Sequence, residues 1–274
     1  MQRNETAPSG WFWRQRVCWV PTWQGWTLAL LLAVGGAIGL ALTVHPFLAV
    51  TRPVATDTLV VEGWCYDPVL GAALREFQRG GYTRLLVTGG PVEVGGPLSG
   101  YRTYAEAGAA TLRTMAPSNA PVPIPILEVP AARVDRDRTH STAVALRQWF
   151  DARGEAPERI NLVTVGAHAR RSRKLFEMAM GPEVEMGIIS AADPTYDPRR
   201  WWSSSAGVRS VLSELIAYAY VALAFHPEPI PVEGAEGAPV VPGTESGAPG
   251  PRGDAPATVV LEPAQAAGPA PVLD

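Results

Sequence analysis

The amino-acid sequence predicts a parallel α/β sheet of about five strands, preceded by one transmembrane helix. From Trp26 to Val50 the chain contains no Asp, Glu, Lys or Arg. From Thr58 onward, short apolar runs of strand length alternate with stretches of helical period. Alternating strands and helices are typical of a doubly wound, Rossmann-like parallel sheet.

The charge-free run has the length of a membrane span. About 20 apolar residues at 1.5 Å rise cross a hydrocarbon core of roughly 30 Å, so residues 26–50 are predicted to be a signal anchor. His45 and Pro46 are expected to mark its far boundary. A cleaved signal peptide is the alternative, but the polar start is long and no clear small-x-small cleavage site follows.

The charges that flank the run predict its direction. Basic residues before the span outnumber those close behind it, which places residues 1–25 in the cytoplasm. We therefore expect a single-pass protein of a bacterial inner membrane whose soluble domain is periplasmic or otherwise extracytoplasmic. The basic residues before the span are Arg3, Arg14 and Arg16, and the one close behind it is Arg52.

Residues 57–226 are predicted to form one Rossmann-like domain. Apolar runs bounded by turn residues indicate the strands, and apolar residues three and four positions apart indicate the helices between them. The predicted strands are Thr58–Val61, Leu85–Thr88, Ile126–Val129, Ile160–Val165 and Val184–Ile189.

The end of the chain differs from the rest. The last predicted helix, Val208–Phe225, is apolar on nearly all sides, but it is short for a second span and contains Glu214. We expect it to pack on the core or to lie against the membrane surface. Residues 227–274 are rich in Pro, Gly and Ala and are predicted to be disordered.

The composition limits the class of partner and of site. A net charge of -3 gives no basic face of the kind that nucleic acid requires. Cys18 and Cys65 lie on opposite sides of the predicted span and so cannot form a disulfide within one chain. No cysteines or histidines have metal-ligand spacing, and no cofactor is assigned.

The polar residues gather in the loops that follow the strands, which meet at one edge of a parallel sheet. Gly89-Gly90 is either a tight turn or a place where backbone amides approach a ligand. His168, Arg170 and Arg171 lie at the start of a helix, where cations are unfavourable. Several cations there predict an anion site, and the alternative is salt bridges to Asp135 or Asp137.

His168 is also a candidate general acid or base. Glu62, which follows the first strand, is a candidate carboxylate partner. The alternative is a histidine that only donates and accepts hydrogen bonds. No nucleophile elbow with a Ser-His-Asp order is visible.

Four stretches in order resemble the bacterial envelope family that includes SanA, ElyC and YdcF, a domain of unknown function. They are DTLVVEG, GGYTRLLVTGG, RTHSTA and INLVTVGAHARRSRKLF, between Asp57 and Ile189. The resemblance implies a Rossmann-like fold and a role in envelope or cell-wall biogenesis, including handling of a polyprenyl-phosphate carrier.

The resemblance also implies a set of site residues. His168 and Arg171 match pocket positions of the family, Gly89-Gly90 matches its glycine turn, and Glu106 resembles its acidic residue on the second helix. In RTHSTA the family usually has Asn-Thr-x-Glu-Asn-Ala, so of that motif only Thr139 and Ala143 are kept. Arg138 replaces the first amide and, with Thr139, is predicted to bind ligand.

Three hypotheses follow. The first is a crevice that binds a phosphate-bearing or lipid-linked ligand through Gly89, Gly90, Arg138, Thr139, Arg170 and Arg171. The second is a hydrolase or transferase that uses His168 with Glu62 or Glu106. The third is a non-catalytic assembly module whose tail recruits partners.

Overall fold

The structure is a computed structural model that describes residues 20–92, 100–117 and 123–227. It contains a five-stranded parallel sheet with helices on both faces, which confirms the predicted fold class. The first 19 residues and the tail predicted to be disordered, from residue 228 on, lie outside the described residues.

The strands follow the predicted apolar runs with small shifts at their ends. They are β1 (Thr58–Glu62), β2 (Arg84–Gly89), β3 (Ile126–Pro130), β4 (Arg159–Val165) and β5 (Glu185–Ala191). The α-helices are α1 (Trp23–Leu48), α2 (Asp67–Gly80), α3 (Tyr104–Met115), α4 (Arg138–Asp151), α5 (Ala169–Met180) and α6 (Ser205–Leu223). Short 3-10 helices lie at Gly166–His168 and Pro198–Ser203.

The strand order is β3-β2-β1-β4-β5, with every neighbouring pair parallel. The chain builds outward from β1 through β2 to β3, then returns to place β4 on the other side of β1. The boundary between β1 and β4 is therefore the topological switch point, where open α/β sheets usually bind ligands.

Burial on both faces explains why the central strands are continuous apolar runs. Leu59 and Val61 face one core with α2 and α3, whereas Val60 faces the other core with α4 and α5. Phe150 and Phe176 fill the second core and are almost fully buried. Alternate residues of one strand thus hold a helical layer on each side.

Helix α1 is long and apolar enough to cross a membrane, and most of its side chains are exposed among the residues that the structure describes. Its last turns pack on the domain, where His45 lies 3.2 Å from the Tyr196 hydroxyl and Trp201 Nε1 donates to the Ala41 carbonyl at 2.8 Å. The helix continues through Pro46 and ends at Leu48.

The connector from α1 to β1 is held against the sheet. Arg52 pairs with Ile188 of β5 in an antiparallel bridge. Asn161, 1% exposed, accepts from the Val54 N–H and donates to the Val54 carbonyl and the Tyr82 hydroxyl, all at 2.8 Å. Since the connector runs antiparallel to β5, α1 ends at the carboxyl edge of the sheet.

Helix α6 packs on the domain along one face. Val211 and Val221 are buried, and Glu214 contacts His168 and Arg171 on α5 and the turn before it. Its length and hydropathy also meet the criteria for a membrane span. Its buried contacts agree with the expectation that it packs on the core.

We predict that Asn161→Ala weakens the connector and lowers the free energy of unfolding. The change leaves the Val54 amide groups and the Tyr82 hydroxyl without their partner, and each buried unpaired group costs about 1 to 3 kcal/mol. Urea unfolding of the full chain in detergent micelles measures the loss. Glu158→Ala, at an exposed neighbouring position, is the control, and equal stability of both variants would contradict the prediction.

Candidate functional site

A cavity of about 510 Å³ lies at the carboxyl edge of β1, β2 and β3. The loop after each of these strands contributes to its wall, and the starts of α4 and α5 close it. The residues that line it are Trp64, Gly90, Pro91, Tyr104, Ala131, Ala132, Arg133, Val134, Asp137, Arg138, Thr139, Ser141, Thr142 and Arg171.

The cavity wall carries more positive than negative charge. Among the described residues, three guanidinium groups, from Arg133, Arg138 and Arg171, line it together with one carboxylate, that of Asp137. The hydroxyl groups of Thr139 and the neighbouring α4 residues add neutral polar groups. This lining suits an anion.

The first turn of α4 reaches the cavity through its amino end. Asp137, the N-cap residue, has a left-handed backbone (φ 56°, ψ 38°), and its side chain accepts no hydrogen bond from that turn. The N–H groups at a helix start have no partner within the helix. They and the helix dipole favour a negatively charged group at this place.

The two glycines after β2 have different roles. Gly90 lines the cavity, and a Cβ there would meet no other atom within 4 Å. A Cβ on Gly89 would collide with the backbone of Ala105, so this glycine allows α3 to approach β2 closely. Gly90 alone of the pair belongs to the cavity wall.

Behind the cavity, a buried carboxylate lies at the switch point. Glu62, at the end of β1, is 1% exposed. Its Oε2 atom accepts hydrogen bonds from the Thr164 hydroxyl and, at 3.0 Å, from the Ser172 hydroxyl. His168 Nε2 lies 3.7 Å from the same oxygen. Strands β1 and β4 and helix α5 therefore meet at one acidic group.

His168 also contacts the last helix. Its Nδ1 atom lies 2.9 Å from Glu214 Oε1, and Arg171 donates to Glu214 through Nε at 2.8 Å and Nη2 at 3.1 Å. An ionised carboxylate only accepts, so the proton between His168 and Glu214 is on Nδ1. Two cations and two carboxylates thus form one charge cluster of Glu62, His168, Arg171 and Glu214.

The cluster keeps His168 protonated. Burial disfavours the imidazolium, but the charge of Glu62 and the hydrogen bond to Glu214 outweigh it and raise the pKa of His168 to about 9. Burial likewise disfavours ionised Glu214, yet hydrogen bonds from His168 and Arg171 lower its pKa to about 2. The neighbouring imidazolium also holds the pKa of buried Glu62 below its usual value.

Trp64 contacts both the cavity and His168 of this cluster. Its ring lines the cavity and meets the His168 ring edge-on, with centroids 5.1 Å apart. Glu62 Oε1 and His168 Nε2 are buried and make no hydrogen bond within the part of the chain that the structure describes. Among the described residues, these two atoms without a hydrogen-bond partner therefore lie behind the Trp64 side chain.

The predicted ligand residues separate into two groups. Gly90, Arg138, Thr139 and Arg171 line the one cavity together. Arg170 points elsewhere, because its Nε donates to the Phe47 carbonyl at the end of α1 and its guanidinium lies 4.0 Å from the Phe47 ring centroid.

The predicted catalytic residues are also separated. His168 and Glu62 are neighbours, but neither lines the cavity. Glu106 lies on α3 in a capping box, where its carboxylate accepts from the Arg102 N–H at 2.8 Å and from the Thr103 N–H at 3.3 Å. The structure thus gives Glu106 a role in starting α3.

The cations at the start of α5 have a partner that the sequence interpretation missed. Glu214 from α6 pairs with Arg171, in place of the salt bridges to Asp135 or Asp137 that were the alternative. The sequence did contain an indication of this ion pair. Glu214 is a single carboxylate in a largely apolar helix, where a buried charge is stable only when it is paired. Thr164, Ser172 and Trp64 gave no comparable signal.

No family model, curated protein or solved structure matches this chain. Among residues 20–92, 100–117 and 123–227, no group of three or more His, Cys, Asp or Glu side chains is arranged to hold a metal ion. The chemistry that the described cavity offers is recognition of an anion by guanidinium, hydroxyl and main-chain N–H groups.

We predict that stability falls as pH rises from about 6.5 to about 9, the ordinary and the folded-state pKa values of His168. A pKa that is higher in the folded than in the unfolded protein adds its full share to the free energy of unfolding at a pH below the unfolded-state pKa. This share is lost once the pH exceeds the folded-state pKa, and at 1.36 kcal/mol per pKa unit the loss is about 3 kcal/mol. Urea unfolding at several pH values measures it. His168→Gln should lose this slope, and an unchanged slope in the variant would contradict the assignment.

Proposed function

We propose that this protein is a membrane-anchored envelope protein whose cavity binds a phosphate-bearing ligand. The observation that carries the proposal is the convergence of Arg138 and Arg171 on one cavity with Gly90 and the start of α4. Guanidinium groups form paired, charge-assisted hydrogen bonds with phosphate oxygens. The unpaired N–H groups of a helix start favour the same ligand.

The membrane arrangement is part of the proposal. Helix α1 would be the single span, with the N-terminus in the cytoplasm of a bacterial cell and the α/β domain on the outer side of the inner membrane. The length and hydropathy of α1 support the span. The excess of arginines before it supports the direction.

The ligand class follows from where the cavity lies relative to α1. The segment after β5 contacts the last turns of α1, through Tyr196 on His45 and Trp201 on Ala41. All strands are parallel, so the cavity lies on the same edge of the sheet and faces the bilayer surface. A phosphate that belongs to a lipid-linked carrier would be presented at that edge.

The resemblance to the SanA, ElyC and YdcF family agrees with this proposal. It implies a role in envelope or cell-wall biogenesis and in the handling of a polyprenyl-phosphate carrier. The resemblance implies that Arg171 and His168 are pocket residues. Arg171 lines the cavity, and His168 lies behind Trp64, which forms part of the cavity wall.

Substitution of Arg138 tests the proposal directly. We expect the full chain in nanodiscs to bind a polyprenyl phosphate, and Arg138→Ala to weaken binding about tenfold or more, since a hydrogen bond to a charged group contributes about 1.5 to 3 kcal/mol. Isothermal titration with wild type and variant gives the two affinities. Arg171 is less suitable for this test, because its loss would also remove two hydrogen bonds to Glu214.

Two arginines outside the cavity wall are matched controls. Arg173, on the same helix as Arg171, pairs with Glu177, and Arg113 pairs with Glu128. Arg173→Ala and Arg113→Ala should bind the lipid phosphate as wild type does. Equal affinity of Arg138→Ala and the controls would reject the cavity as the binding site.

An enzyme that uses His168 is the second candidate function. The observation that favours it is the pair of buried, unbonded atoms Glu62 Oε1 and His168 Nε2. With a pKa of about 9, His168 is protonated at neutral pH and would act as an acid after Trp64 moves aside. A turnover screen on phosphate esters tests it, and equal rates for wild type and His168→Gln would reject it.

The proposed orientation predicts which thiols are accessible from outside the cell. In intact cells, a membrane-impermeant maleimide should label Glu158→Cys, at an exposed position of the domain, and should not label Cys18 until the cells are lysed. Cys65 is buried and should not react in the folded protein. Labelling of Cys18 in intact cells, with Glu158→Cys protected, would reverse the orientation.

A further inference from the structure

Helix α6 exposes an apolar face. Leu212, Ile216, Tyr220 and Leu223 recur at helical spacing and are 41%, 72%, 52% and 84% exposed. A surface helix usually directs charged and polar residues outward. A continuous row of large apolar side chains instead indicates a surface that another apolar phase covers.

The rotation of α6 about its axis is set by its buried contacts. Glu214 is held by His168 and Arg171, and Val211 and Val221 are buried on the same side. A helix held by a buried ion pair on one face cannot turn its opposite face inward without breaking that pair. The apolar row therefore faces away from the domain.

The contacts at the two ends of α6 place it along the carboxyl edge of the sheet. Towards its start, Val208 and Val211 belong to one apolar cluster with Val44 and Leu48 of α1. Further along, Tyr218 packs on Phe47 of α1, with ring centroids 5.7 Å apart. Just beyond the other end, Phe225 packs on His140 in the first turn of α4, at 5.4 Å. Helix α6 thus extends from the end of α1 toward the start of α4, on the edge that also holds the cavity.

The level of the bilayer surface follows from α1. Its almost wholly exposed part, Trp23 to Leu40, is about 27 Å long at 1.5 Å per residue, close to the roughly 30 Å of a hydrocarbon core. Contacts with the domain begin at Ala41, whose carbonyl accepts from Trp201. The domain therefore starts at the outer boundary of the lipid.

The residue types beside this boundary are those that lipid interfaces favour. The 3-10 helix before α6 carries Arg199, Arg200 and the exposed Trp202 at the level of Ala41. Arg209 lies on α6 two turns before Ile216, on the same face. Tryptophan, tyrosine and arginine side chains concentrate at headgroup level in membrane proteins.

We propose that α6 lies in the outer interface of the bilayer, with Leu212, Ile216, Tyr220 and Leu223 inserted among the lipids. The occupant of this face is lipid because α6 packs beside the last turns of α1, through the Phe47–Tyr218 contact and the cluster with Val44 and Leu48, just outside the point where α1 leaves the hydrocarbon core. Together with α1, this second contact fixes the tilt of the domain on the membrane. The inference depends on α1 as the span and does not depend on what the cavity binds.

Site-directed spin labelling of the full chain in nanodiscs tests this contact. Single cysteines replace Ile216 or Leu223 in a Cys18→Ser background, and the buried Cys65 is kept. Glu158→Cys, exposed before β4 at the opposite edge of the sheet, is the control. Accessibility to oxygen, which enters lipid, is compared with accessibility to a water-soluble nickel chelate.

At Ile216→Cys and Leu223→Cys we expect several-fold higher accessibility to oxygen than to nickel, and the reverse at Glu158→Cys. Nickel accessibility at both α6 positions equal to that at Glu158→Cys would overturn the proposal, because the face would then be in water. Protection from both reagents with dipolar broadening between labels would also overturn it, by showing a second copy of the chain on this face. Circular dichroism confirms that each variant is folded.

Discussion

The partly buried charge cluster of Glu62, His168, Arg171 and Glu214 is the constraint on which the arrangement of this domain depends. It joins β1, the start of α5 and α6, which are distant in sequence. Buried charges are tolerable only when paired, and here two cations meet two carboxylates. If either carboxylate lost its partners, an uncompensated charge would remain at the switch point. The cluster therefore holds α6 on the domain and determines which face of α6 is exposed.

Arg171 connects this cluster to the cavity, because it pairs with Glu214 and also lines the cavity wall. A bound anion would compete with Glu214 for the same guanidinium group. The second arginine at the start of α5 has a different role. Arg170 donates to the Phe47 carbonyl in the last turn of α1, where carbonyl groups have no partner within the helix, and so connects the anchor to the domain.

Sequence reasoning located much of the cavity because of one property of parallel sheets. The loops after the strands share an edge, so Gly90, Arg138, Thr139 and Arg171 could be assigned to one crevice from the strand pattern. The separation of Arg170 from Arg171 could not be predicted, since it depends on how α5 is rotated by burial of Phe176 and its neighbours. Glu106 had a local signal: Thr103 three residues earlier matches a capping box, a structural role.

By itself the sequence determined the order of strands and helices, the apolar helix at the start and the carboxyl-edge loops, because apolar periodicity and turn residues act over a few positions. Only the tertiary structure decided that His168 is paired with Glu214, 46 residues away, and buried behind Trp64. It also decided that the apolar side chains of Leu212, Ile216, Tyr220 and Leu223 on α6 face away from the domain. Partners at such separations depend on helix packing, which local patterns do not encode.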